Sequence, residues 1–340
     1  MLTVTLYTRS DCHLCEQAKA DLQALQDKVP HQLVELDIDS DAALKNSYAL
    51  EIPVVEVGPY RLKAPFDRQD LLMTLGAASD RRMQLERVDA DTLQARERRG
   101  KTITGSDKVS FWISRHYLAL VNLFLLLYLG LPFLAPLLLK VGTIGPARII
   151  YAIYRPLCHQ FGFRSWYLFG EQAYYPHAAA HIEGMKTFEQ VTGITDYNDP
   201  YRYAARAYTG DQTVGYKVAL CQRDVAIYAA LLFFSLVYSL TGRHIPPLHW
   251  ALWVLIGMVP IGLDGLSQIL SQFNLHALVA FLPYRESSPF LRTLTGFLFG
   301  FSTAWFGIPY AEESMQEIRQ IFTRKFAVAQ TANRELILTK

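Results

Sequence analysis

Four long apolar runs limit what this chain can fold into. A single helix needs about 20 consecutive, mostly apolar residues to cross a bilayer. Residues 117–139, YLALVNLFLLLYLGLPFLAPLLL, meet that length without one charge. Residues 218–240, VALCQRDVAIYAALLFFSLVYSL, meet it if Arg223 and Asp224 lie near one end. Residues 249–270 hold one acid, Asp264, and residues 290–311 hold one arginine, Arg292, near their start. We therefore expect an all-α, four-span transmembrane bundle over 115–311, in contact with the lipid bilayer. The shorter ARIIYAIYRPL, just before Cys158, reads as an interfacial or re-entrant helix.

Charge sets the expected orientation. Arg96, Arg98, Arg99, Lys101, Lys108 and Arg115 precede the first run, and Arg319, Arg324, Lys325, Arg334 and Lys340 follow the last. Cytoplasmic flanks of membrane helices are enriched in such residues. Both termini and the 241–248 loop are thus expected in the cytosol, on a multi-pass protein of the inner (cytoplasmic) membrane. The long stretch from 141 to 216 would face outside. It contains 171–213, an external insertion rich in tyrosine and histidine. Residues 77–114 read as a charged, solvated and partly helical linker, and 312–340 as a cytosolic, partly helical tail. The net charge of +2 gives no reason to expect nucleic acid, and no nucleic-acid or nucleotide motif is visible.

This topology brings scattered polar residues to one depth. Ionisable groups in a membrane segment are expensive and commonly functional. Cys221, Asp224 and Tyr228 are three and four apart, so they share one helical stripe. Asp264 and Gln268 are four apart on another. Arg292 opens the last run. Cys158, His159 and Arg164 follow the short helix toward the same side. With Arg223 these form either a buried ion-pair network that orders the bundle or a polar pocket at the outer face. Gly296, Gly300 and Gly307 in the last run read as close-packing positions.

The first 76 residues are of another kind. LTVTLYT alternates as a half-buried strand does, and SDCHLCEQAKADLQAL continues with Ala18, Leu22 and Leu25 at helical spacing. Asp11 is the expected cap. HQLVELDI, DAALKNSYAL and IPVVEV follow as strand, helix and strand. There is room for one more strand before the helix DRQDLLMTLG, expected to end at Gly76. This is a small α/β unit. Cys-x-x-Cys at a helix start is a redox arrangement: the helix N-terminus favours a thiolate on the first cysteine, and the second can resolve a mixed disulfide.

On YTRSDCHLC and EIPVV, the segment resembles the glutaredoxin and thioredoxin superfamily. The resemblance implies a thioredoxin-like fold, Cys12 as nucleophile, Cys15 as resolving thiol and Pro53 as a cis-proline beside them. A thiol/disulfide partner protein or a small thiol is implied as partner. Where glutathione-using members carry a Gly-Gly-x-Asp-like stretch, this chain reads RLKAPFDRQD. On CHQFGFRS, LCQRDVAIY, DGLSQ and RTLTG, residues 115–310 resemble an uncharacterised family of predicted bacterial membrane proteins. Asp224 stands where many of its members have a second cysteine.

Three functions follow from these residues. The first is an integral-membrane thiol–disulfide oxidoreductase, with Cys158 and Cys221 as a second couple. It is similar in its parts, though not its motifs, to vitamin K epoxide reductase homologues, which implies a quinone as possible cofactor. The second is a metal site, with Cys158, His159, Cys221 and Asp224 offering ligands suited to zinc. The third is a non-catalytic anchor or transport module for the redox domain.

Overall fold

The computed structural model describes residues 1–195, 203–272 and 284–338, with side chains to residue 333. The chain divides into two compact units, Met1–His116 with Glu313–Lys340, and Tyr117–Glu312.

The first unit is built on strands β1 (Leu2–Thr8), β2 (His31–Asp37), β3 (Val54–Val57) and β4 (Tyr60–Lys63). They lie in the order β2-β1-β3-β4. β1 runs parallel to β2 and antiparallel to β3, and β3 is antiparallel to β4. Helices α1 (His13–Ala24), α2 (Ala42–Tyr48) and α3 (Arg68–Val88) cover the sheet. Because alternate strand residues face opposite ways, Val4 and Leu6 join Leu22, Leu25, Leu71 and Leu75 in one core layer. Tyr7 joins Leu36, Leu44 and Tyr48 in the other. This is a thioredoxin-like arrangement.

Two local expectations are corrected here. Cys12, not Asp11, caps α1, and Asp11 instead takes a left-handed φ of 60°. The α3 helix does not stop at Gly76. It continues to Val88 and is capped at Asp89, because Gly76 has ordinary helical φ and strong helix formers follow it. Much of 77–114 is accordingly helical, through α4 (Ala90–Lys101) and the start of α5 (Gly105–Lys140).

The second unit contains the apolar helices. Its other elements are α6 (Ile144–Tyr154), β5 (Ser165–Leu168), the short helices α7 (Phe188–Thr192) and α8 (Tyr203–Ala207), β6 (Gly210–Asp211) and β7 (Gly215–Cys221). Then come α9 (Gln222–Leu240) and a continuous helical run of α10 (Trp250–Leu252), a π-helical stretch at Trp253–Met258 and α11 (Val259–Gln272). The last helix, α12 (Pro289–Leu338), extends beyond this unit. Strands β5, β7 and β6 form a small antiparallel sheet.

Three of the four expected spans coincide with helices that meet the requirement. Among the described residues, Gly105–Lys140, Gln222–Leu240 and Trp250–Gln272 are long and apolar enough to cross a membrane. Residues 290–311 are wholly helical within α12, but Arg292, Thr293, Thr295, Ser302, Thr303 and three glycines dilute their apolarity. The second run also begins later than expected. Residues 218–221 belong to β7, and its helix starts at Gln222.

Contacts inside this unit order the helices. Gly296 and Gly300 let α12 meet α9, since a Cβ there would lie 2.6 Å from the Arg223 carbonyl oxygen and 2.2 Å from that of Ile227. Gly307 has open space around it, so it is not a packing position. Trp253 Nε1 donates to Thr303 Oγ1 at 3.0 Å, tying the α10–α11 run to α12. On α5, Leu123, Phe124, Leu126 and Leu127 are exposed, the apolar face that a bilayer would cover.

Candidate functional site

Cys12 and Cys15 sit where β1 gives way to α1, and they are joined by a disulfide with a Cα separation of 5.2 Å. Cys12 Sγ accepts the Cys15 backbone N–H at 3.2 Å. Cys12 is half-buried and Cys15 is only 2% exposed. The Ile52–Pro53 peptide is cis. Tyr7 pairs with Val54, so Pro53 lies at the same end of the sheet as the Cys12 turn.

The second site is assembled from three stretches of chain. After α6 the backbone turns, and Cys158 N–H donates to the Tyr154 carbonyl at 3.0 Å. Gln160 takes a left-handed φ of 54° and is buried. Its side chain donates to the Tyr151 and Ala219 carbonyls, both at 3.0 Å. Its own carbonyl accepts from Lys217 Nζ at 2.7 Å. This bracing holds Cys158 against the β7–α9 junction. There the backbone N–H groups of Gln160 and Cys221 donate to Cys158 Sγ at 3.4 and 3.3 Å. The Cys221 thiol donates to Asp224 Oδ2 at 2.9 Å.

Cys158 Sγ, Cys221 Sγ and an Asp224 carboxylate oxygen all lie within 4.8 Å of one another, and both cysteines are free thiols. The neighbouring Cys221 sulfur and burial together push the Cys158 thiol well above the usual range. Tyr228, one turn beyond Asp224, packs on Tyr128 with ring centroids 4.4 Å apart.

His159 does not join this cluster. It is exposed and stacks on Phe161, with centroids 5.6 Å apart. Cys158 is buried and His159 exposed, so the two side chains face opposite ways. The four-ligand metal set of the sequence reading is thereby reduced to three.

The remaining candidates form a buried polar network. Arg223 and Arg285 both hold Asp264, the latter at 2.9 Å, and Ser287 Oγ donates to it at 2.7 Å. Glu286 accepts two bonds from Arg164, at 2.7 and 2.8 Å, one from Gln268 at 2.8 Å, and pairs with Arg292. Arg292 Nη2 also donates to Gln268 Oε1 at 3.0 Å. Burial raises the Glu286 carboxyl, but Arg164 and then Arg292 outweigh it and hold it below the usual carboxylate range. Asp264 is thus engaged as a counter-ion.

The sequence reading missed Arg285, Glu286 and Ser287. Their signal was the charged RESS stretch ahead of the last apolar run. It also missed Lys217, which is fully buried and donates to the carbonyls of Gln160 and Arg206, the latter at 2.9 Å. A lysine within the apolar VGYKVAL is the trace it leaves. Burial lowers the Lys217 ammonium to about 7.

Comparison with known proteins gives concordant matches. The family described as a glutaredoxin-like domain (DUF836) matches residues 3–95. The family described as a predicted membrane protein (DUF2085) matches residues 212–306. An uncharacterized protein of Methanocaldococcus jannaschii, MJ1492, is 24% identical over 206 residues, spanning 58% of this chain and 93% of that protein. The X-ray structure of Northeast Structural Genomics target protein XcR50 from X. campestris is 41% identical, covering 22% of this chain and 96% of that one with a TM-score of 0.19. The chain therefore carries a glutaredoxin-like domain at its N-terminal end and a domain of this predicted membrane protein family in its C-terminal part.

Proposed function

We propose that this is an integral-membrane thiol–disulfide oxidoreductase with two cysteine pairs, Cys12/Cys15 and Cys158/Cys221. The observation that carries the reading is the convergence of two free thiols and a carboxylate within 4.8 Å, from residues 63 and 66 positions apart. Disulfide formation at Cys158/Cys221 releases two electrons and two protons. A partner disulfide, taking them up, becomes two thiols; a quinone becomes a quinol. Asp224, hydrogen-bonded to the Cys221 thiol, is the first proton acceptor.

The reading extends to topology. Gly296 and Gly300 set α12 beside the start of α9, and Trp305 reaches past its end, where its Nε1 donates to the Pro246 carbonyl at 2.9 Å. A helix that accompanies a membrane span over its whole length crosses with it. Residues 290–311 are then a fourth crossing, and both termini are cytosolic in an inner-membrane protein, in keeping with the basic flanks.

The test is thiol trapping on the full chain, before and after mild oxidation. A Cys158–Cys221 disulfide that forms on oxidation and is lost in Cys221→Ser is expected. Two thiols that remain alkylatable after Cys12–Cys15 has fully oxidised would defeat the proposal.

A second reading rests on the three-atom cluster. Sulfur ligands about 2.3 Å from one tetrahedral zinc lie about 3.8 Å apart, inside the 4.8 Å that bounds the three atoms here. Cys158, Cys221 and Asp224 would supply three ligands and leave a fourth position open. Zinc at one equivalent, lost in Cys158→Ser, would favour this reading over the redox couple.

A further inference from the structure

The first unit contains a cavity of about 460 Å³, within the range of roughly 300–1,000 Å³ common for small-molecule sites. Its wall is apolar, from Leu2, Ala78, Leu85, Leu93, Ile321 and Val328. Six cationic side chains also line it, against one acid, Glu97. Three of the six are already matched by carboxylates: Arg82 with Glu97 at 2.8 Å, Arg324 with Glu56 at 2.7 Å, and Lys325 with Asp107 at 2.7 Å. Arg81, Arg96 and Lys101 have no ion pair among the described residues. An open groove with apolar walls and three cations outside any ion pair matches a molecule with a hydrocarbon body and an acidic end.

The Cys-x-x-Cys turn lies elsewhere in this unit. The cavity takes in Met1–Thr3, at the start of β1, and Gly58–Pro59, at the β3–β4 turn. Cys12 follows the far end of β1. The groove is therefore separate from the thiol chemistry.

We infer that this cavity binds a single-chain anionic amphiphile, with its acyl chain against Leu85, Leu93 and Ile321 and its phosphate or carboxylate held by Arg81, Arg96 and Lys101. Such a ligand reaches the site either as a free acid or phosphate ester, or as a lipid drawn from a bilayer.

The test uses the full chain in phosphatidylcholine nanodiscs and a diazirine-bearing hexadecyl phosphate, with labelled peptides mapped by mass spectrometry. Labelling is expected on peptides containing Leu85, Leu93 or Ile321. Unlabelled hexadecyl phosphate should compete at least tenfold better than hexadecanol, and inorganic phosphate should not compete. The triple variant Arg81→Glu, Arg96→Glu, Lys101→Glu should lose labelling at least tenfold. Leu93→Trp, which fills the groove and leaves the cations in place, should lose it as well. Its retained Cys12–Cys15 reduction and reoxidation would report an intact fold. Repeating the labelling in discs containing lysophosphatidylglycerol identifies the source: loss of label there marks a single-chain bilayer lipid as occupant, and retention marks a free amphiphile. Label confined to the apolar faces of α5 and α9, equal competition by hexadecanol, or undiminished labelling of Leu93→Trp would each overturn the inference.

Discussion

Lys217→Met is the sharpest probe of the scaffold behind Cys158. Lys217 is fully enclosed, and its ammonium titrates at about 7 because burial disfavours the charge. In the unfolded chain a lysine titrates near about 10.4. Between these values the unfolded chain holds one proton more than the folded one, so stability rises with pH across this window. Below about 7 both states are charged and the slope vanishes; above about 10.4 both are neutral. Each pH unit is worth about 1.4 kcal/mol, giving about 4–5 kcal/mol over the window. For a unit of this size, roughly 2–4 °C accompanies each kcal/mol, hence roughly 3–5 °C per pH unit. Methionine carries no titrating group and has similar bulk. The assay is tryptophan fluorescence melting of both proteins in neutral detergent from pH 6 to 10. The wild-type midpoint should gain on that of Lys217→Met above pH 7 and run parallel to it below. A difference that stays constant from pH 6 to 10 would refute the reasoning.

Three other perturbations have defined outcomes. After reduction, Cys12 should be alkylated well before Cys15, because it is half-buried while Cys15 is 2% exposed; mass spectrometry over a time course reads the order. Glu286→Gln leaves Arg164 and Arg292 facing a neutral amide, and breaking such a buried pair should cost about 3–5 kcal/mol in a denaturant titration. By contrast Lys63→Ala, in an exposed pair with Glu51, should shift nothing measurable. Gly300→Ala places a Cβ 2.2 Å from the Ile227 carbonyl oxygen and should destabilise by about 1–3 kcal/mol, whereas Gly307→Ala, with open space around it, should melt as the wild type does.

Local signals were legible where local rules govern. The alternation of LTVTLYT and the spacing of Ala18, Leu22 and Leu25 sufficed for the first strand and helix. Gly76 misled because glycine marks a helix end only when the backbone adopts positive φ there, which no residue pattern declares. Residues 290–311 read as a span, but a helix with close neighbours on two sides admits glycines, serines and threonines that weaken its apolar signature. The meeting of Cys158 with Cys221 depends on the β5–β7 pairing, in which Ser165 is opposite Cys221. Register between strands so distant in sequence leaves no periodic trace. Glu286 escaped notice for a related reason: its arginine partners come from residues 164 and 292, and only folding makes them neighbours.

The junction of β7 and α9 has no loop: Cys221 ends the strand and Gln222 begins the helix. A sheet and an apolar helix are thereby welded into one piece, so the start of α9 is placed by hydrogen bonds in the β5–β7–β6 ladder. A strand can slip only in steps of two residues if its faces are to be kept. One such step would carry the start of α9 about 6.6 Å along the line of β7 and draw Cys221 and Asp224 away from Cys158 together. An added residue ahead of Gly215 falls in a turn, where it can be absorbed. One between Tyr216 and Asp224 has nowhere to go but into the placement of the thiol. The small sheet thus works as a depth gauge for the helix that follows it.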